Sequence, residues 1–230
     1  MRSAQYFSVF QNWIEAPAYA FGGGDVDAVV SAAEKEQYWQ IYTELLEAAE
    51  TARAGHPHAD KLFLRPKIYS RERGSRGHRP KDLWVSICYV GADQLGYLPQ
   101  IYAIASSRGL EVGFAASIAE GDYFDPVVKA RNRALIPFIN AKLPAPDAQV
   151  TRSLAFELGR QEQWHYNLKT RLSPGEPGFD KFASFPEMIA HLREGGDASG
   201  AGAACRQFGS TVLVDVDLVD QFSVALANFV

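Results

Sequence analysis

Apolar residues recur every three or four positions between residues 25 and 53, in a stretch rich in alanine, glutamate and leucine. This spacing places them along one stripe of a helix, so the pattern predicts a long amphipathic helix. Gly55 and Pro57 are residues at which such a helix ends. We therefore expect a helical amino-terminal segment over residues 1–57.

The middle of the chain consists of short runs rich in β-branched and aromatic residues, separated by turns that contain Gly, Asp or Ser. Each run predicts a strand, at residues 62–69, 83–90, 97–105 and 110–117. Residues 106–109 (SSRG) are typical of a hairpin turn. Because most connections are short, we expect neighbouring strands to run antiparallel as a meander.

The remainder of the chain mixes helix and strand patterns. Residues 126–142 have helical spacing that Pro137 should kink or break. Residues 162–172 favour a further strand, and residues 185–194 favour a helix with Pro186 in its first turn. The small residues of 195–203 indicate a linker.

These elements predict an α+β fold, in which helices flank a central, mainly antiparallel β-sheet with a meander. We expect one domain over residues 1–194, with its sheet core at 62–172 and its closing helix at 185–194. A linker and a carboxyl-terminal segment are expected over residues 195–230.

The 230 residues are 47% hydrophobic, which is enough for a sizeable core. No run approaches the roughly 20 apolar residues that span a bilayer, and the first residues lack the features of a signal peptide. We therefore expect a cytoplasmic protein with no membrane partner. Cys88 and Cys205 have no Cys or His at ligand spacing, so buried free thiols are expected.

The formal net charge of −4 argues against a protein that coats nucleic acid indiscriminately. Positive charge is nevertheless concentrated between residues 64 and 81, where Glu72 is the one acid. Such a segment attracts phosphate groups, although an ordinary solvated loop is the alternative. The candidate phosphate-binding residues are Arg65, Lys67, Arg71, Arg73, Arg76, Arg79 and Lys81.

Aromatic residues on the predicted strands offer surfaces on which an unstacked base can be held, at roughly 1–3 kcal/mol per base. By period-two alternation Trp84 faces away from Val85 and Ile87, which suits either a pocket or a packed core. The candidate base-pocket residues are Trp84, Tyr97, Tyr102, Trp164 and Tyr166.

The sequence lacks the phosphate-binding loop motif GxxxxGK(S/T), the zinc-protease motif HExxH and the nucleophile-elbow motif GxSxG. His56 and His58, followed by Asp60, have the residue types of a metal site, but no matching ligands follow. Asp122 and Asp125 are candidates for a nuclease cation, although acids before a helix more often cap it. We expect no catalytic residue, no metal and no cofactor in this domain.

Four segments, LRPKIYSRERG, LWVSICYV, LGYLPQIYAIAS and GLEVGFAASI, occur in an order that resembles the amino-terminal DNA-recognition domain of McrB-type modification-dependent (type IV) restriction proteins. The later stretch WHYNLKTRLSPGEPGFDKFASFPEMIAHLRE is similar to the closing strand and helix of that domain. The resemblance covers residues 62–118 and 164–194.

This resemblance implies a domain that binds double-stranded DNA and flips a modified cytosine into an aromatic pocket, while a separate nuclease subunit cleaves the DNA. It implies that Trp84 stacks on the flipped base, and that Leu98 and Tyr102 wedge into the vacated space. Leu98 departs from the larger aromatic familiar at that position, but an aliphatic side chain can also unstack a base step. The resemblance further implies a GTPase motor domain in the full-length protein.

Two alternatives belong to other functional classes. A protein-interaction or assembly module without direct DNA binding would use exposed aromatic residues to dock a partner, and its association would be insensitive to salt. A metal-dependent nuclease would cleave DNA when magnesium or manganese is added.

Overall fold

The computed structural model describes seven continuous stretches and several single residues. The stretches are 31–67, 82–89, 99–116, 141–161, 163–194, 202–209 and 217–229, and the single residues are 7, 9, 10, 127, 130, 134, 137 and 138. The single residues between 127 and 138 are all helical, which agrees with the helix predicted there, and Pro137 itself is helical. Within the described residues, no helix has both the length and the apolar character needed to cross a membrane.

A six-stranded antiparallel sheet forms the centre of the fold. Its strands are β1 (Leu62–Lys67), β2 (Asp82–Tyr89), β3 (Gln100–Ser106), β4 (Gly109–Ala116), β5 (Trp164–Asn167) and β6 (Gly202–Gly209), in the spatial order β1-β2-β3-β4-β6-β5. The first four strands form the predicted meander, and the α+β class is confirmed. Ser106 pairs with Gly109 to close a tight hairpin, in which the φ of 110° at Gly109 favours glycine.

Strand β6 differs from the expectation of a linker after residue 194. It lies in the interior of the sheet between β4 and β5, and Ala203, Ala204 and Cys205 are all 0% exposed. Its small residues serve close packing, because a Cβ added at Gly202 would lie 3.1 Å from Met188 Cγ. Residues 202–209 therefore belong to the same sheet as the predicted core, and β5 is shorter than the strand expected over 162–172.

The main helices are α1 (Ala32–Gly55), α2 (Gln149–Arg160), α3 (Phe185–Arg193) and α4 (Leu218–Phe229), and a short 3-10 helix spans Ala59–Lys61. Helix α1 begins at a capping box, in which Ser31 N donates to Glu34 Oε2 at 2.8 Å and Glu34 N donates to Ser31 Oγ at 3.2 Å. The part of the predicted helix before residue 31 lies outside the described residues. Pro186 lies in the first turn of α3, as expected.

The principal core lies between the helices and one face of the sheet, which we call the helix face. Helix α1 packs against α4 and against β1 and β2, while α4 packs against β3 and β4. Leu83, Val85 and Ile87 alternate along β2 toward this core and are almost completely buried. The other face of the sheet is therefore separate from the main helix layer.

Candidate functional site

Among the described residues, most buried polar side chains lie on the sheet face opposite the helices. We call it the polar face, and it includes Arg65, Asp82, Trp84, Ser86, Gln100, Tyr102, Ile104, Glu111, His165, Asn167, Cys205 and Gln207. Residues that pair directly across antiparallel strands share a face. The pairings Arg65 with Ser86 and Ser86 with Tyr102 therefore place these side chains in one line across β1, β2 and β3.

Trp84 is the half-buried aromatic residue of the polar face. It packs against a small cluster that includes Tyr102, Ile104 and Cys205, and it pairs with Ile104 in the sheet register. Its neighbours Leu83 and Val85 point into the helix-face core. The alternation predicted from the sequence is thus present, and Trp84 is half-buried.

Ser86 lies beside Trp84 on the same face. Its side chain is 0% exposed, and among the described residues its Oγ has no hydrogen-bond partner. Leaving a buried hydroxyl unpaired costs about 1–3 kcal/mol, and most buried polar atoms in folded proteins do have a partner. Ser86 is therefore an unsatisfied polar group next to the half-buried Trp84.

Glu111 is the centre of a buried hydrogen-bond network on β4. Tyr102 Oη donates to Glu111 Oε1 at 2.7 Å, and the backbone N–H of Arg171 donates to both carboxylate oxygens at 3.2 Å. Gln207 Nε2 adds a further hydrogen bond at 3.3 Å. Burial raises the pKa of Glu111, although the hydrogen bonds from Tyr102 and Arg171 oppose the shift, and burial also raises the pKa of Tyr102.

Arg171 connects this network to β2. Its Nε donates to Asp82 Oδ2 at 2.6 Å and its Nη2 donates to Asp82 Oδ1 at 3.3 Å, which makes a bidentate ion pair. Burial disfavours the charged guanidinium, but the hydrogen bonds and charge of Asp82 outweigh it and raise the pKa of Arg171. The contacts of Arg171 with Asp82 and Glu111 therefore connect residues 168–182 to β2 and β4.

Sequence reasoning did not single out Glu111 or Arg171. A signal for Glu111 exists in the sequence, because it is the one charged residue in the buried strand GLEVGFAA. A buried charge in such a strand requires dedicated partners. The partner Arg171 could not be identified in the same way, because it lies 60 residues away along the chain.

A second polar chain lies where β5 meets β6. Asn167 Nδ2 donates to Cys205 Sγ at 3.4 Å, and the backbone N–H of Asp180 donates to Asn167 Oδ1 at 2.8 Å. His165 Nδ1 lies 3.1 Å from the Asp180 carboxylate. Burial raises the pKa of the Cys205 thiol, which keeps it neutral. Both cysteines are buried thiols that form no disulfide, and Cys88 Sγ donates to Phe63 O at 3.8 Å.

The structure separates the candidate base-pocket residues into two groups. Trp84 and Tyr102 share the polar face, whereas Trp164 and Tyr166 belong to the helix face. Trp164 Nε1 donates to Gln161 Oε1 at 3.0 Å, and the Tyr166 ring lies 6.5 Å from that of Phe185. A single pocket formed by all of these side chains is therefore not present, and Tyr97 lies outside the described residues.

Of the two candidate wedge residues, Tyr102 lies in the described part of the chain. Tyr102 is 2% exposed and its hydroxyl is bound to Glu111, so it forms part of the packed polar face rather than a protruding side chain. Leu98 lies outside the described residues.

Arg65 is the candidate phosphate-binding residue whose side chain is described. It is half-buried on β1, and none of the ion pairs among the described residues involves it. Lys67 ends β1 and is the register partner of Trp84. The other candidates, Arg71, Arg73, Arg76, Arg79 and Lys81, lie outside the described residues.

The histidines considered as metal ligands lie in the turn after α1. The rings of His56 and His58 are 5.7 Å apart, and His58 N donates to His56 Nδ1 at 3.2 Å. Across the described stretches, no group of three or more His, Cys, Asp or Glu residues is arranged to hold a metal ion. Asp122 and Asp125 lie outside these stretches.

The segments that carry the family resemblance fall largely on the strands of the sheet and on β5 and α3. Comparisons of the chain with protein-family models, with curated proteins and with solved structures gave no significant match.

Proposed function

We propose that this chain is a DNA-recognition domain of a modification-dependent restriction system of the McrB type. In this proposal it binds double-stranded DNA in the cytoplasm and reads a modified cytosine by flipping the base into an aromatic pocket. DNA cleavage is assigned to a separate nuclease subunit, and a GTPase motor domain to the full-length protein. The observation that carries the proposal is the position of the half-buried Trp84 on the polar face, beside Arg65 and near the strand ends that the basic segment (residues 64–81) connects.

The environment of Trp84 suits stacking on a base. Trp84 packs against a cluster that includes Tyr102 and Ile104, and the residue as a whole is half-buried. Such a ring is held in place before the base arrives, so little conformational entropy is lost on binding. Stacking contributes roughly 1–3 kcal/mol per base, which is comparable with the few kcal/mol needed to extrude it.

The basic segment is attached to the sheet beside Trp84 at both of its ends. Strand β1 ends at Lys67, the register partner of Trp84, and β2 begins at Asp82, two residues before Trp84. The chain between these two strands contains further cations at residues 71, 73, 76, 79 and 81. Phosphate contacts from these residues would position the duplex, whereas contacts to the base would provide the specificity.

Discrimination of the modification is expected to be modest. The cluster against which Trp84 packs consists of Tyr102, Ile104, Ala115, Ala203 and Cys205. An apolar pocket distinguishes one methyl group by about 1–3 kcal/mol, or roughly 10- to 200-fold.

The proposal is tested by measuring binding of the chain to matched duplexes that differ only in cytosine or 5-methylcytosine, with 5-hydroxymethylcytosine as a further arm. Trp84→Ala should abolish the preference for the modified duplex. Trp164→Ala is the matched control, because it removes the same side chain from the helix face. Equal affinity of the wild-type chain for every duplex would contradict the proposal.

An assembly module remains the second candidate because α2 exposes large apolar side chains. Phe156 is 65% exposed and Val150 is 59% exposed, and exposed apolar patches often mark sites of protein association. Sedimentation of the wild-type chain and of Phe156→Glu at low and high salt separates the two candidates. Self-association that persists at high salt and is lost in the variant would favour the assembly module.

A further inference from the structure

Arg171 retains hydrogen-bonding capacity beyond its ion pair with Asp82. A guanidinium carries five N–H groups, one on Nε and two on each Nη nitrogen. Nε and Nη2 each donate once to the Asp82 carboxylate, and Nη1 donates once to Thr170 Oγ1 at 3.1 Å. One N–H on each Nη nitrogen therefore has no partner among the described residues. The Arg171 side chain is also 34% exposed, so a ligand can reach it from the solvent.

Two sets of hydrogen bonds fix where the Arg171 side chain lies on the polar face. Its backbone N–H is bound to Glu111 on β4, and its guanidinium is bound to Asp82 on β2. Strand β3 lies between β2 and β4, and neighbouring strands are about 4.8 Å apart. The Arg171 side chain therefore crosses the polar face of β3 and ends at β2.

The guanidinium end of this side chain lies near the proposed stacking residue. Asp82 and Trp84 are two residues apart on β2, so they share a face and their Cα atoms are about 7 Å apart. Trp84 pairs with Ile104 in the sheet register, and Ile104 in turn pairs with Glu111. The two groups that anchor Arg171 therefore lie on two sides of Trp84, one along β2 and the other across β3.

We propose that Arg171 donates from its unpaired N–H groups to the Watson–Crick edge of the extruded cytosine while Trp84 stacks on the ring. This inference rests on the proposed function and extends it from stacking to the identity of the base. N3 and O2 of cytosine are adjacent acceptors, which match two donors of one planar guanidinium. Because O2 lies across the ring from C5, this contact leaves a C5 modification free to meet other side chains.

The charges around Arg171 favour a base over a phosphate as the acceptor. Asp82 is paired with the guanidinium, and the buried Glu111 accepts from the backbone of the same residue. The ion pair with Asp82 carries no net charge, so it supplies little of the attraction that draws a phosphate. A neutral acceptor does not depend on that attraction, and it still receives a hydrogen bond from a charged donor.

The test compares three duplexes that carry 5-methylcytosine, thymine or an abasic site at one position, each opposite guanine. Thymine keeps the C5 methyl group and O2, but its N3 carries a hydrogen and donates instead of accepting. Arg171→Met removes every side-chain donor, and Arg171→Lys keeps a cation opposite Asp82 in case the first variant folds poorly. Arg108→Lys, at an exposed ion pair, is the matched control. Thermal unfolding is recorded for every form.

We expect both Arg171 variants to lower the ratio of affinities for the 5-methylcytosine and thymine duplexes by about tenfold, as the loss of a hydrogen bond from a charged donor predicts. Arg108→Lys should leave this ratio unchanged. The cost of extruding each base from its own duplex is the same for every protein form, so it cancels when the ratios are compared. Binding of the abasic duplex should stay unchanged, because that duplex offers no base to contact.

Two outcomes would overturn the inference while leaving the proposed function intact. One is an unchanged ratio in both Arg171 variants, although Trp84→Ala loses the preference for 5-methylcytosine over cytosine. The other is an equal loss of affinity for all three duplexes, which would indicate a structural role or a phosphate contact. If the wild-type chain binds cytosine and 5-methylcytosine duplexes equally, the proposed function itself fails and the inference fails with it.

Discussion

Tyr102 on β3 donates its hydroxyl hydrogen to Glu111 on β4, with 2.7 Å between Tyr102 Oη and Glu111 Oε1. Both side chains are buried, and the same carboxylate receives the backbone N–H of Arg171. Glu111 is therefore one of the acids, with Asp82, that join the sheet to residues 168–182. Because Trp84 packs against the cluster that contains Tyr102, this network supports the surface on which we propose that the base stacks.

Replacement of Tyr102 by Phe tests the energetic role of this hydrogen bond. The variant keeps the ring but leaves a buried carboxylate with one donor fewer, so we expect the free energy of unfolding at neutral pH to fall by about 1–3 kcal/mol. Denaturant unfolding of both proteins measures the difference. An unchanged unfolding free energy would show that Arg171 and Gln207 alone satisfy Glu111.

For the same variant we also expect the stability difference from the wild type to depend on pH in the alkaline range. Burial raises the pKa of Tyr102 in the folded protein above its ordinary value near 10, so its contribution to stability is complete below that value and is lost as the pH rises through the raised pKa. The stability difference between wild type and Tyr102→Phe should therefore decrease above about pH 10. A difference that stays constant from pH 8 to 11 would contradict this expectation.

Arg171→Ala tests the connection between residues 168–182 and the sheet. The change leaves Asp82, whose side chain is 16% exposed, without its bidentate partner, and we expect a loss of about 1–3 kcal/mol in unfolding free energy. Arg108→Ala is the control. The side chains of Arg108 and Glu176 are both exposed, so their ion pair should contribute less than about 1 kcal/mol to the free energy of unfolding. Equal losses in the two variants would argue against a special role for Arg171.

Substitution of Gly113 tests the position of β6, and substitution of Gly159 serves as its control. We expect the first to lower the stability of the fold and the second to raise it. At Gly113, an added Cβ would overlap the Ala204 carbonyl oxygen and lie 2.7 Å from Cys205 Cα, so Gly113→Ala should destabilise the fold by several kcal/mol. At Gly159 in α2 the added Cβ meets nothing within 4 Å, so Gly159→Ala should stabilise it by about 0.5–1 kcal/mol. Thermal unfolding compares the two. Tolerance of Gly113→Ala would contradict the close pairing of β4 with β6.

Arg65→Ala tests the electrostatic part of the proposed function. If Arg65 contacts a phosphate, its removal should weaken DNA binding to a similar degree for all sequences and reduce the slope of log affinity against log salt by about 1. Arg160→Ala on α2 is the control for the loss of one exposed positive charge. The expectation fails if the two variants give the same slope as the wild type.

Local patterns were sufficient to predict the first four strands, because alternation within each strand and the short turn at residues 106–109 are properties of adjacent residues. Strand β6 was missed for a physical reason. Its sequence GAACRQFG contains small residues that pack between two neighbouring strands, and such residues carry no alternation of large apolar and polar side chains.

The candidate site was predicted only in part. The orientation of Trp84 follows from alternation within β2, whereas Trp164 and Tyr166 face the helices because of how β5 pairs with β6. The link from Arg171 to Asp82 joins residues 89 positions apart, so no local pattern reveals it. The unpaired state of Ser86 likewise depends on all the groups that surround it in the folded chain.

The central claim, that a modified base leaves the duplex to stack on Trp84, is tested most directly by fluorescence of 2-aminopurine placed next to the target cytosine. Extrusion of the target unstacks its neighbour and increases the emission. We predict an increase when the wild-type chain binds the modified duplex, a much smaller one with Trp84→Ala, and retention of the increase with Trp164→Ala. Saturating binding of the modified duplex by the wild-type chain without any change in emission would contradict the claim.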